Sequence, residues 1–177
     1  NVTVTSPSGI AGDYPCYPTD PGNFGVAITA PITANVVLIA DNTAPSSDGC
    51  QGITNSAALN GNIALIRRGD CTFVEKVKAA QNAGAVGVIM MNNIDGTPVA
   101  MGGDDTTITI PSIMISKADG DLLEAQLGSG PVSATLNPVV AGAFTGNLVP
   151  GQQHINDIKV RNNGGVSEIY VAAGDTF

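Results

Sequence analysis

The side chains able to do chemistry in this 177-residue chain are few and scattered. His154 is the single histidine, so a Ser-His-Asp or Cys-His nucleophile pair has to use it. Its neighbours Gln152, Gln153 and Ile155 form no nucleophile elbow, and HExxH, GxSxG and glycine-rich phosphate loops are absent. A solvated loop histidine is the plainer reading, and the chain alone is expected not to be an enzyme. The three cysteines, Cys16, Cys50 and Cys71, lie too far apart for a CxxC motif, and one histidine does not complete an ordinary zinc site. A disulfide fits better. Cys50 follows the turn-like Asp48-Gly49, and Cys71 lies in the turn after the next apolar run, so pairing them staples two loops and leaves Cys16 over. Closing a loop of about twenty residues contributes ~3 kcal/mol in the chain-entropy model.

Two charged groups invite a ligand reading. Asp95, Asp104 and Asp105 lie in oxygen-rich loops, Asn92-Asn93-Ile94-Asp95-Gly96 and Gly102-Gly103-Asp104-Asp105, that are candidates for Ca²⁺. The spacing is not that of an EF-hand, turn-forming acids are the plainer reading, and no cofactor is assigned. Arg67, Arg68, Lys76 and Lys78 hold four of the seven cations within twelve positions. They read either as a solvated helix face with Glu75 as local partner, or as a loop whose arginine fork grips a carboxylate or peptide carbonyls. Arg68-Gly69-Asp70 also spells an integrin tripeptide, a match short enough to arise by chance.

Composition bounds the setting. Charged residues make up 12% of the chain, about half the ~25% usual for soluble proteins, and neutral polar residues take their place. Such a surface is common on secreted or cell-surface proteins, and an extracellular or cell-surface location is expected. Seven basic against fifteen acidic residues, a net charge of −8, argue against nucleic acid, whose binding needs clustered cations. No apolar run approaches the ~20 residues of a membrane span. The chain opens at Asn1 and reads as a mature or trimmed product.

The positioning elements follow from pattern. Residues 1–60 are rich in Pro, Gly and Asp, with short apolar runs at 2–4, 25–28 and 35–39 that read as strands, and the run 36–40 is expected to be buried on both faces. Residues 63–66 form a short apolar strand. Thr72-x-x-Glu75 is a capping box, and Phe73, Val77, Ala80 and Gly84 recur at helical spacing, with Lys76, Lys78, Gln81 and Asn82 placed opposite. Gly84 ends that helix and 86–91 is a second buried strand, making a βαβ unit with an expected right-handed crossover. A polar loop, 92–107, leads to the apolar run 108–115. Ser116 caps a helix with Leu122, Leu123 and Leu127 on its apolar side, and 132–136 alternates as a strand. Asn162-Asn163-Gly164-Gly165 between 158–161 and 166–172 signals a hairpin.

The succession Arg68-Gly69-Asp70-Cys71-Thr72-Phe73, Lys76, Ala83-Gly84-Ala85, the strand 86–91, Asn92-Asn93 and Ile110-Pro111-Ser112-Ile113-Met114-Ile115 resembles the protease-associated (PA) domain. The likeness is specific over 61–138 and loose before it. It implies an α/β PA-like domain over 1–140, a β-rich open barrel or sandwich with a βαβ core and two short helices, followed by a C-terminal extension, 141–177, with a β-hairpin. It also supports the Cys50–Cys71 pairing, since PA domains place cysteines similarly. In vacuolar sorting receptors of that family the equivalent of the 68–73 turn lines a cargo-peptide site. The resemblance therefore implies Arg68, Gly69, Asp70, Thr72, Asn92 and Asn93 as peptide-binding candidates, with Cys71 and Phe73 structural.

Two functions follow as expectations. One is a non-catalytic peptide- or protein-docking or lid module, covalently joined to the catalytic domain of a secreted peptidase. The other is a secreted structural subunit that self-associates through exposed strands or the hairpin.

Overall fold

A computed structural model describes residues 1–138 and, as backbone, the strands Ile158–Asn162 and Gly165–Ile169; His154 lies outside the described residues. The chain divides into two units, Asn1–Pro138 and Val139–Phe177.

In the first unit, eight strands form one mixed sheet. In chain order they are β1 Val2–Ser6, β2 Gly12–Tyr14, β3 Cys16–Pro18, β4 Ile32–Leu38, β5 Ile63–Arg67, β6 Gly87–Met91, β7 Ser112–Ile115 and β8 Val132–Leu136. Their spatial order is β2-β1-β8-β4-β5-β6-β7-β3. The centre, β4-β5-β6-β7, is parallel, and the flanking strands pair antiparallel. Helix α1 Ser56–Leu59 connects β4 to β5 and α2 Phe73–Asn82 connects β5 to β6, while α3 Lys117–Leu127 leads from β7 to the antiparallel β8. This is the mixed α/β architecture with a βαβ core that the motifs implied. The single turn α1 and a 3₁₀ turn, Ser8–Ile10, are additional to the two expected helices.

Strand alternation divides the core into two layers. Ile63, Leu65, Ile89, Met91, Ile113 and Ile115 face one side with Leu123 of α3. Ala64, Ile66, Val88, Met90 and Met114 face the other with Val77 and Ala80 of α2. With a helix on each face, β6 is buried along its whole length, as a parallel strand covered twice must be.

The caps are as the sequence dictates. Thr72 accepts from the Glu75 N–H while the Glu75 carboxylate accepts from the Thr72 N–H. At the other end Gly84 adopts φ +86°, and paired bonds from Gly84 N to Gln81 O and from Ala85 N to Ala80 O close a Schellman motif. Ser116 caps α3 through Asp119 N.

Three expectations are corrected. Residues 25–28 form no strand: Phe24 makes an isolated bridge to Asp105, and Gly25 turns the chain at φ +76°. The run 36–40 is not buried on both faces throughout. Val36 and Ile39 are buried and Val37 and Leu38 half-buried, because the helices make their main contacts with β6 rather than β4. Of the three α3 leucines only Leu123 is buried and Leu122 is 43% exposed, since adjacent helical residues point ~100° apart. Gly120 lets α3 approach β6, where an added Cβ would meet Met91 Cβ at 2.6 Å. In the second unit, β9 Ile158–Asn162 and β10 Gly165–Ile169 pair as an antiparallel hairpin with Asn162 opposite Gly165.

Candidate functional site

Because β5, β6 and β7 run parallel, the segments leaving their carboxyl ends gather at one end of the sheet, the usual place for a ligand in an α/β fold. Those segments are the 68–72 loop, the 92–107 loop and the Ser116 cap. The Arg68 N–H bonds Met91 O, continuing the β5–β6 pairing by one residue, and then the chain turns sharply. Gly69 at φ +136° and Asp70 at φ +61° make that turn; Asp70 is the sole described non-glycine residue with positive φ.

Two fixtures hold the loop. The Cys50–Cys71 disulfide, with Cα atoms 5.6 Å apart, ties it to the Asp48–Cys50 turn, and Thr72 begins α2. Arg68 is placed from both sides: its guanidinium donates to Asn92 Oδ1 at 2.8 Å and lies 5.6 Å from the centroid of the Phe73 ring. Asn92 is buried, and its Oδ1 also accepts from the N–H groups of Asn93 and Ile94. The six sequence candidates therefore lie together but differ in role. Asp70, Thr72 and Asn93 are exposed, Arg68 and Gly69 half-buried, and Asn92 is an internal brace. The Thr72 oxygen is taken up by the cap.

The four cations do not form a patch. Arg67 pairs with Asp121 and Glu124 of α3. Lys78 donates to Thr107 O at 3.0 Å. Lys76, placed on the polar face by sequence, is fully buried instead. It stands three residues after Phe73 and four before Ala80, so the signal for the inner face was in its spacing and was masked by its charge. Its Nζ donates to Asp48 O at 2.6 Å and to Cys50 Sγ at 3.1 Å. Burial pushes the ammonium below its ordinary value, against the opposing pull of Asp48, Asp70, Asp41 and Glu75. Asp41 and Asp48, which sequence reasoning missed, are buried beside this cation. Asp48 Oδ1 accepts from Cys50 N and Asp41 Oδ1 from Thr43 N, while each Oδ2 is without a hydrogen-bond partner among the described residues.

Among the described residues no three His, Cys, Asp or Glu side chains come together to hold a metal, and Asp95, Asp104 and Asp105 are not gathered into such a group. Asp105 instead accepts from Thr107 N and Oγ1 in a local turn, which holds its carboxyl below the usual range. Cys16 on β3 is a free thiol. No helix among the described residues is long and apolar enough to cross a membrane.

The family model described as PA domain matches residues 29–123, more than half of the chain, beginning well upstream of the motif-rich segment and running through most of it. The chain belongs to the PA domain family. Such domains are generally non-catalytic accessory domains. This PA domain is 37% identical over 108 residues to leucine aminopeptidase 2 of Arthroderma otae, covering 61% of this chain and 21% of that protein. It is 32% identical over 112 residues to ER degradation-enhancing alpha-mannosidase-like protein 3 of Xenopus laevis, covering 58% of this chain and 12% of that one. Among solved structures, the aminopeptidase from Aneurinibacillus sp. strain AM-1 superposes with a TM-score of 0.55 at 29% identity, covering 77% of this chain and 32% of that chain. The zinc aminopeptidase BSAP from Bacillus subtilis has a TM-score of 0.55 at 27% identity, with 77% and 29% coverage. The PA domain thus spans about an eighth to a third of these relatives.

Proposed function

We propose that this PA domain docks peptide substrate for a secreted peptidase to which it is covalently joined, with the Arg68–Thr72 loop and the 92–107 loop as the contact surface. The observation that carries this reading is the setting of Arg68. One N–H is donated to Asn92 and the Phe73 ring centroid lies 5.6 Å from the guanidinium carbon, which positions the group at the carboxyl end of the parallel strands. No other hydrogen-bond acceptor for it is present among the described residues, so a two-pronged grip on a peptide carboxylate or carbonyl remains open to it.

The aminopeptidase relatives support a peptidase as the joined enzyme, and a domain that only binds acts there by raising the local concentration of substrate. The Cys50–Cys71 disulfide supports an oxidising compartment, and secretion is the reading that accommodates both.

Arg68→Ala is expected to weaken peptide binding by roughly tenfold or more, the worth of one charge-assisted hydrogen bond. Its urea midpoint should stay near wild type, since the side chain is on the rim. Calorimetric titration with short peptides checks this, and equal affinity for both proteins removes the loop from the site.

A further inference from the structure

The Cys50–Cys71 disulfide is chemically lopsided. Lys76 Nζ and Cys71 N each lie 3.1 Å from Sγ of Cys50, so two N–H donors converge on one sulfur of the bond. Lys76 is fully buried and its position is set by a second bond, to Asp48 O at 2.6 Å, so its ammonium is held against that sulfur rather than free in solvent. Both cysteines are only part-buried, so a reductant has access.

We infer that this disulfide is a directional thiol–disulfide exchange site: a thiolate from an exogenous thiol or dithiol reductant attacks Sγ of Cys71, and Cys50 departs as a thiolate held by Lys76 and Cys71 N–H. The new bond joins the reductant sulfur to Cys71, the Cys50–Cys71 bond breaks, and its electron pair goes to Cys50 Sγ. A dithiol reductant then releases Cys71 with its second sulfur and is itself oxidised to a disulfide. Exchange prefers the leaving sulfur whose thiolate is better stabilised, and an adjacent lysine lowers the cost of the anion. The negative charge created on Cys50 also offsets the isolation of a buried ammonium whose neighbouring carboxylates, Asp48, Asp70, Asp41 and Glu75, act at longer range. Structurally, exchange unties the Asp48–Cys50 turn from the loop that carries Arg68 while leaving the α2 cap in place. This inference is independent of the docking reading.

The test uses the whole chain with Cys16→Ser, which removes the competing free thiol. Brief exposure to glutathione is stopped by iodoacetamide, and the peptides are mapped by mass spectrometry. The expected result is glutathione on Cys71 and the alkyl group on Cys50, with a several-fold excess over the reverse. Lys76→Met keeps the length of the side chain without its charge and is expected to slow the exchange roughly five- to tenfold. Adducts shared evenly or lying mainly on Cys50 overturn the proposal, as does an unchanged rate in a folded Lys76→Met protein. Should that variant not fold, the position of the glutathione in the Lys76-containing protein decides alone.

Discussion

Lys76 shows how a single side chain can serve the core and remain polar. Its methylenes lie on the inner face of α2 among Phe73, Val77 and Ala80, and its ammonium reaches the Asp48 carbonyl beyond them. A cation so placed is tolerated because Asp48 and Asp41 are buried beside it. Removing it leaves those carboxylates uncompensated, and such losses cost ~3–5 kcal/mol. Lys76→Ala is therefore expected to be among the most destabilising single changes in the domain, read as a lowered midpoint in urea unfolding. Arg67, the other interior-side cation, is shared with Asp121 and Glu124 and partly exposed, so its replacement should cost far less.

Helix–sheet approach is decided by glycines at the level of elements. In a helix interior Gly→Ala ordinarily stabilises by ~1 kcal/mol. Gly120 should behave in the opposite sense. The new Cβ would stand 2.6 Å from Met91 Cβ, and prying α3 off β6 costs ~1–3 kcal/mol, which exceeds the propensity gain. Gly84→Ala meets two penalties, a left-handed φ of +86° and a Cβ that would clash with Asn60 Oδ1. Both variants are expected to lower the thermal midpoint, and hydrogen exchange should place the loss of protection in α3 for the first and in the α2–β6 connection for the second. An increase in stability for Gly120→Ala would mean that the α3–β6 contact is looser than the structure shows.

For the molecule as a whole, three carboxylates link stability to acid. Thr72 hydrogen bonds lower Glu75, Thr107 hydrogen bonds lower Asp105, and the Lys117 hydrogen bond lowers Asp121. A carboxyl lowered by folding adds stability that is complete above its unfolded value, 4.5 for Glu75 and 3.8 for the two aspartates, and that is lost as pH falls through the lower folded value. Lys117 is raised by the same Asp121 contact, so seen from its side the contribution is complete below 10.5 and is lost as pH rises through the folded value. Thermal midpoints are thus expected to be flat from near neutrality to about pH 5 and to fall below about pH 4.5. Glu75→Gln should flatten the upper part of that fall. A profile for Glu75→Gln parallel to wild type would show that the capping-box carboxylate carries none of it.

The sequence by itself determined the elements whose signals are local. The capping box at Thr72 and Glu75, the Gly84 stop, the β5–α2–β6 unit and the Cys50–Cys71 staple were all legible, because each depends on residues near one another in the chain or on a motif of fixed spacing. The tertiary structure alone decided what depends on neighbours distant in sequence. It separated four adjacent cations onto different partners, since β5 and α2 carry Arg67 toward α3 and Lys76 into the core. It also joined Arg68 to Asn92 and set Asp41 and Asp48 beside Lys76. Charge is read from a sequence as exposure, and only the packed fold, by surrounding a charge with partners, can make burying it tolerable.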